Sequence, residues 1–337
     1  MELDMLFYNL PRDKKQLFSN NPSGNFVAIQ SLQHFQRVHT DFKPKPSDIY
    51  ISTYPKNGTT WTIALTDQLQ QLNKENIGKQ QSNVPVGSTE TTCQWVDGLA
   101  RNDKLWASSL TIFEEMQEPR IFKTHATEAL IPETEGCQKR LIQVMRNPLD
   151  TFVSAWHHMF GKFGYKGSFC SFFERVVLLG KFQSGSWFEY HEEFFKSYEE
   201  GKLDILFLKY EDMKIDDGED AVKKIAVFLS IDCEVDANKI ASRCNFEKMK
   251  EFSNDNGFVR KMKPRKEGDA LLWADVDPGS VEKPSNAHIR KGVVGDWRNY
   301  YTDEQLEQWG TYVDEACLRY PRTFKFFGRD YFMGRIL

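Results

Sequence analysis

The stretch DIYISTYPKNGTTW, residues 48–61, constrains this chain more than any other. Five residues of buried-strand character, Asp48 to Ser52, run into a turn carrying Pro55 and Gly58, and then into a helix that opens on Thr59 and Thr60. A strand–loop–helix junction of this kind suits an anion, because the N–H groups of the first helical turn and the positive end of the helix dipole converge on one point. Gly58 lets the backbone approach closely, Thr59 and Thr60 add hydroxyls, and Lys56 places a cation beside the same spot. The pattern G-x-x-x-x-G-K-[ST] of kinases and ATPases is absent, since the lysine precedes the glycine. Taken alone, the stretch also fits a strand turning into a helix beside a solvated lysine.

Three further apolar runs read as strands: Arg120 to His125, Lys139 to Arg146, and Asp204 to Asp212. Helices are expected from Thr59 to about Asn73, from about Leu149, over Phe169–Leu179, Trp187–Glu199 and Gly218–Leu229, in a short piece ending near Arg243, and from Thr302 to Leu318. The chain thus reads as one α/β domain over residues 1–337, with a parallel sheet of about four to five strands flanked by helices. Residues 1–45 are polar and turn-rich and are expected to wrap the body; 253–288 lack a period and read as a lid-like loop; the Gln/Asn/Ser-rich stretch to about Thr92 reads as a surface loop.

Ligands of open parallel sheets bind outside the carboxyl ends of the strands, so residues closing different strands can meet. His125 is therefore a candidate base near Lys56, with Lys123 beside it, although a histidine at a strand end is also an ordinary surface residue. Arg146 at one strand end and Ser154 about two turns later can reach one anion. Arg290-Lys291-Gly292 can bind a phosphate with side-chain charge and backbone N–H together. His157 and His158 do not make a metal site, because adjacent helical residues do not face each other.

With 337 residues, 40% hydrophobic and 14% aromatic, the chain can bury a large core. A net charge of −4 argues against a surface built for nucleic acid or anionic membrane, so any anion site is local. No eighteen apolar residues run together, and residues 1–20 hold no apolar signal core; a soluble cytoplasmic protein is expected. Six cysteines without C-x-x-C spacing suit reduced thiols used in packing.

Tyr54-Pro55-Lys56-Asn57-Gly58-Thr59-Thr60-Trp61 resembles the 5′-phosphosulfate loop of the cytosolic sulfotransferases, Y-P-K-S-G-T-T-W, with Asn57 where serine is usual. The resemblance continues in order. Lys123-Thr124-His125 is similar to K-T-H-L-P, with Ala126 and Thr127 in the last two places, and Arg146-Asn147 with Ser154 matches R-N-x-x-D-x-x-x-S. Gly185-Ser186-Trp187 is similar to G-S-W, Tyr210-Glu211-Asp212-Met213 to Y-E-D-[LM], and Cys244 to Met249 to T-S-F-x-x-M. Arg290 to Trp297 matches R-K-G-x-x-G-D-W. His158 stands where the family usually has phenylalanine, and Asp303 replaces the central valine of the family's dimer motif, leaving a monomer or a dimer of another kind.

This resemblance implies a P-loop-like, nucleotide-kinase-like sulfotransferase fold and transfer of a sulfuryl group from 3′-phosphoadenosine 5′-phosphosulfate (PAPS) to a hydroxyl or amine, leaving PAP, with no metal. It implies catalytic roles for His125 as base and for Lys56, Lys123 and Ser154. Lys56, Asn57, Gly58, Thr59 and Thr60 would hold the 5′ end. Arg146, Ser154, Arg290, Lys291 and Gly292 would hold the 3′-phosphate, and Trp61, Tyr210, Phe246 and Met249 the adenine. Trp95, Trp156 and Phe160 suggest an apolar acceptor pocket for a phenol, steroid, retinoid or amine, although core packing explains them equally. The other readings of the same architecture are an ATP-dependent small-molecule kinase and a non-catalytic nucleotide- or lipid-binding protein.

Overall fold

In the computed structural model, which describes residues 28–76, 93–100, 103–163, 167–182, 184–231, 235–256 and 289–335, the apolar runs pair into one parallel sheet. Its strands are β1 Ile49–Thr53, β2 Cys93–Trp95, β3 Ile121–Thr124, β4 Lys139–Met145 and β5 Leu203–Lys209, in the order β2-β3-β1-β4-β5. Every residue of β1 is buried, as expected of a central strand covered on both faces. Ile49 and Ile51 join an aliphatic layer with Ile142, Val144, Val222 and Ile225. Tyr50 and Tyr54 face an aromatic layer that includes Trp187, Phe188, Trp309 and Phe332. The pleat of one strand thus sorts its side chains between two cores.

The helices of ten or more residues are α1 Ala28–Asp41, α2 Thr59–Asn76, α3 Asp103–Glu115, α4 Pro148–Phe163, α5 Trp187–Glu199, α6 Glu219–Phe228, α7 Phe246–Asn256 and α8 Asp303–Arg319. Thr302 caps α8 through a reciprocal bond with Gln305, which fixes the helix start where the sequence places it. No helix among the described residues is long and apolar enough to cross a membrane.

Four expectations change. Strand β2, at three residues, is too short to carry a readable period, and neither it nor the helices α1, α3 and α7 is among the sequence expectations. Tyr210-Glu211-Asp212 does not close a strand but opens a short helix, Tyr210–Ile215, where two acidic residues suit the helix N-terminus. The Phe169–Leu179 helix is one α turn, Phe169–Phe172, followed by a π turn over Phe173–Val177. Cys137 and Cys170 are exposed rather than packed, whereas Cys93 and Cys244 are buried. Within the segment expected to wrap the body, α1 is tied down by Arg37 Nη1 donating to the Ala100 carbonyl (2.8 Å) and by Trp106 Nε1 donating to Asp41 (2.8 Å). Residues 1–27, 77–92 and 257–288, the Phe160 side chain and Cys233 lie outside the described residues.

The amino ends of β1 and β3 are locked by a buried ion pair. Arg120 is fully buried and grips Asp48 with Nε to Oδ1 and Nη2 to Oδ2, each 2.7 Å. Its remaining donors reach the carbonyls of Phe113 (3.1 Å) and Lys43 (2.8 Å). A bidentate pair with its spare hydrogens also satisfied is the geometry in which a buried charge is tolerated.

Candidate active site

At the opposite ends of the same strands the backbone is strained. The Asn57 N–H closes a turn onto the Tyr54 carbonyl at 3.2 Å, with Pro55 in second position and Lys56 in third at φ +75°. This is the pattern of a type II turn, whose third residue is ordinarily glycine. An L-residue there costs about 1–2 kcal/mol. Gly58 follows at φ +112°, and a Cβ on it would stand 2.8 Å from the Tyr210 ring. Thr53 and Thr59 hydroxyls meet at 2.5 Å, tying the strand end to the first residue of α2. The first-turn N–H groups of α2 have no partner within the helix, and they open beside this loop.

The parallel register Ser52↔Thr124 brings His125 level with Thr53. His125 Nδ1 lies 2.8 Å from the Thr53 carbonyl. A carbonyl only accepts, so Nδ1 carries the hydrogen and Nε2 is the basic nitrogen of the ring. Trp95 stands edge-on to the imidazole, 5.7 Å between centroids, and Lys123 Nζ sits 3.9 Å above the Trp95 ring. The register pair Trp95↔Lys123 places that cation–π contact, and β2 is therefore the element that walls the histidine.

The Arg146 guanidinium, at the end of β4, lies 4.5 Å over the Tyr210 ring, and Nη2 donates to the Val293 carbonyl at 2.9 Å. In the first turn of α4, Asp150 accepts from the N–H groups of Gly295 (2.7 Å) and Trp297 (3.0 Å). These bonds dock the 289–300 segment onto α4. Ser154 follows Asp150 by one turn on the same helix face and is half-buried. Gly292, at φ +63°, packs its backbone against the Phe246 ring, and Met249 is buried one turn further along α7. Trp61 meets Tyr210 edge to face at 5.7 Å, and its indole Nε1 is buried without a hydrogen-bond partner.

Arg290 and Lys291 turn onto Asp296, at 2.5 and 2.8 Å. Burial pushes that carboxyl up, but hydrogen bonds from Lys291, Arg290 and Asn299 outweigh it and lower the pKa to about 2. Arg290 also donates to the Tyr300 hydroxyl (3.3 Å), which in turn lies 2.9 Å from His157 Nε2. Burial, and then the Arg290 charge, lowers His157 to about 4, so a neutral ring meets the Tyr300 hydroxyl.

The contacts Gly58–Tyr210, Tyr210–Arg146 and Arg146–Val293 bring the Lys56 loop and the Arg290–Gly292 segment to one end of the sheet. Asn57 belongs to the loop, but its side chain is turned inward and fully buried. Trp156 is core, its Nε1 donating to the Gly167 carbonyl at 3.1 Å. Sequence reasoning missed Thr53, Asp296 and the docking role of Asp150. The spacing of Asp150 one turn after Arg146 was the available signal for the last. Among the described residues no group of three or more His, Cys, Asp or Glu could hold a metal ion.

A family model described as sulfotransferase domain matches residues 46–320. Sulfotransferase 1C2 of Rattus norvegicus is 31% identical over 88% of this chain and 92% of its own length. Sulfotransferase 1B1 of Canis lupus familiaris is 32% identical over 79% and 82%. Among solved structures, mouse sulfotransferase SULT7A1 complexed with PAP superposes with a TM-score of 0.61 at 24% identity, covering 88% of this chain and 93% of that one. Retinol dehydratase in complex with androsterone and PAP gives 0.60 at 21%, over 91% and 94%. At these identities the two structures speak to the fold.

Proposed function

The chain belongs to the sulfotransferase family, a class of PAPS-dependent enzymes, and we propose that Lys56, Lys123, His125 and Ser154 carry its sulfuryl transfer to a small-molecule hydroxyl or amine. The acceptor oxygen or nitrogen attacks sulfur, the bond from sulfur to the bridging oxygen breaks, and its electron pair stays on the phosphate of PAP. Lys56 neutralises the charge that grows on that oxygen. His125 takes the acceptor's proton at Nε2, the nitrogen left basic by the Nδ1–H bond to Thr53. That bond is the observation that carries the reading, because it supplies a fixed base beside the Lys56 loop.

The N–H groups of Gly58, Thr59 and Thr60 hold the 5′-phosphate with Lys123 on the transferring group, and Trp61, Tyr210, Phe246 and Met249 flank adenine. Arg146, Ser154, Arg290, Lys291 and Gly292 hold the 3′-phosphate, whose negative charge replaces that of Asp296 as partner of the two cations. Lysines fill the charge role that magnesium has in kinases, so turnover is expected to survive chelator, and an ATP-dependent kinase would not. Retinol and androsterone are named as molecules bound by retinol dehydratase. With Trp95 beside His125, an apolar ring-bearing alcohol or phenol is the acceptor class this site suits. We further propose a single cytoplasmic domain over 1–337, with 1–45 wrapped around it, 253–288 as a lid, and no dimer through the usual family motif, since Asp303 in place of its central valine removes apolar contact and adds charge.

The test is to mix the purified chain with labelled PAPS and a panel of phenols, steroids, retinoids and amines. Sulfated product and PAP in equal amounts are expected; donor consumption with ATP and magnesium but not with PAPS would reverse the assignment.

A further inference from the structure

Asn57 is where the donor loop departs from the family's usual serine, and its carboxamide is engaged on both sides. Oδ1 accepts from Thr151 Oγ1 at 2.8 Å. That hydroxyl has one hydrogen, and the short contact takes it in preference to the Arg146 carbonyl at 3.4 Å. Nδ2 lies 3.5 Å from His191 Nε2. His191 is fully buried, and burial pushes it down to about 3, so a neutral ring faces Asn57 with one acceptor and one donor nitrogen. With Nε2 accepting from Asn57, Nδ1 carries the hydrogen toward the Gln143 carboxamide, 3.4 Å away. Gln143 Oε1, which otherwise has no partner, is the atom suited to receive it once the amide is turned over.

The placement matters more than the count of bonds. Asn57 follows Lys56, the left-handed residue of the turn. Thr151 follows Asp150, which docks Gly295 and Trp297, and lies three residues before Ser154. A single buried hydrogen bond between residues 94 apart in the chain therefore joins the loop assigned to the 5′ end of the nucleotide to the helix assigned to its 3′ end.

We propose that Asn57 is a positioning residue for sulfuryl transfer: clamped between Thr151 and His191, it holds Lys56 at a fixed spacing from the 3′-phosphate groups on α4. The inference rests on the donor reading above, and replaces a direct contact of the Asn57 side chain with the nucleotide. Without the clamp the turn relaxes from its left-handed conformation and Lys56 leaves the bridging oxygen. That contact strengthens in the transition state, so its loss lowers kcat more than nucleotide affinity, which the loop amides and arginines sustain.

The comparison is Thr151→Val, which keeps shape but leaves Asn57 Oδ1 without its donor, against Thr151→Ser, which restores the hydroxyl. His191→Leu against His191→Gln repeats it from the other side of the amide should Thr151→Val not fold. For Thr151→Val we expect kcat at least tenfold lower, the Kd for PAP within threefold of wild type, and faster hydrogen exchange at the amides of residues 56–60. For Thr151→Ser we expect all three near wild type. Unchanged exchange in the loop, a normal kcat, or a Kd that weakens as much as kcat falls would overturn the clamp. Faster loop exchange in Thr151→Val, with a wild-type chain that transfers no sulfuryl group, would uphold the clamp and overturn the donor reading.

Discussion

Strands β1 and β3 end in two different kinds of structure. At their amino ends Arg120 and Asp48 are buried, paired twice and backed by two carbonyls. At their carboxyl ends, a few residues away, Lys56 sits in a left-handed conformation, Gly58 at φ +112°, and the indole nitrogen of Trp61 is buried without a partner. Both ends hold charge, but they hold it differently: Arg120 and Asp48 answer each other directly, whereas Arg290 and Lys291 share the single carboxylate of Asp296. The amino end uses charge to fasten the sheet; the carboxyl end gathers strained backbone at Lys56 and Gly58 with the cations Arg146, Arg290 and Lys291. Strain of this kind persists where the surrounding structure over-determines it, and here that structure is the closed end of the same two strands together with the Asn57 network.

Removing one group from each end should separate the two roles. His125→Ala is expected to lower transfer by about 100- to 10,000-fold with PAP binding and thermal unfolding unchanged; near-normal turnover would remove the base. Arg120→Met should do the reverse. Leaving Asp48 buried and unpaired costs about 3–5 kcal/mol, measurable by denaturant, while kcat of the folded fraction stays within a few-fold of wild type.

A pH titration sharpens the contrast on the site's side. His157, lowered to about 4, and His191, lowered to about 3, are neutral when folded and titrate near 6.5 when unfolded. A base with a depressed folded pKa contributes fully above 6.5 and loses that contribution as pH falls toward the folded value. Stability should therefore decline as pH falls from 6.5 toward 4, where the unfolded chain binds protons that the folded His157 does not. His157→Gln should flatten that part of the curve, and a slope identical to wild type would contradict the neutral, Tyr300-bonded ring. Smallest of the four, Gly58→Ala adds a methyl that meets the Tyr210 ring at an unfavourable φ; the roughly 1–2 kcal/mol involved should weaken PAP about tenfold in a calorimetric titration.

Much of this contrast was readable beforehand. Strands β1, β3 and β4 are runs of buried apolar residues long enough to show, and the order of Lys56, His125, Arg146 and Arg290 along the chain already implied one end of one sheet. What was not readable depended on distance in sequence. Nothing near Asp48 announces Arg120 as its partner, and Asp150 looked like an ordinary first-turn acid until the Gly295 and Trp297 amides arrived. β2 is three residues long, so the wall it provides beside His125 had no period to betray it. Tyr210 reads as closing β5 yet opens a helix, because a strand's last residue and a helix's first have the same local sequence environment. Asn57 was visible as a substitution, but its inward turn follows from Thr151, 94 residues away.

The most direct test is a crystal structure of the chain soaked with PAP. The account predicts the 5′-phosphate on the amides of Thr59 and Thr60 with Lys56 alongside, the 3′-phosphate between Arg146, Ser154 and Arg290 with Asp296 released from its cations, and His125 Nε2 facing the vacant sulfuryl position. A nucleotide bound with either phosphate away from its assigned group, or with His125 turned from the 5′ end, would contradict it.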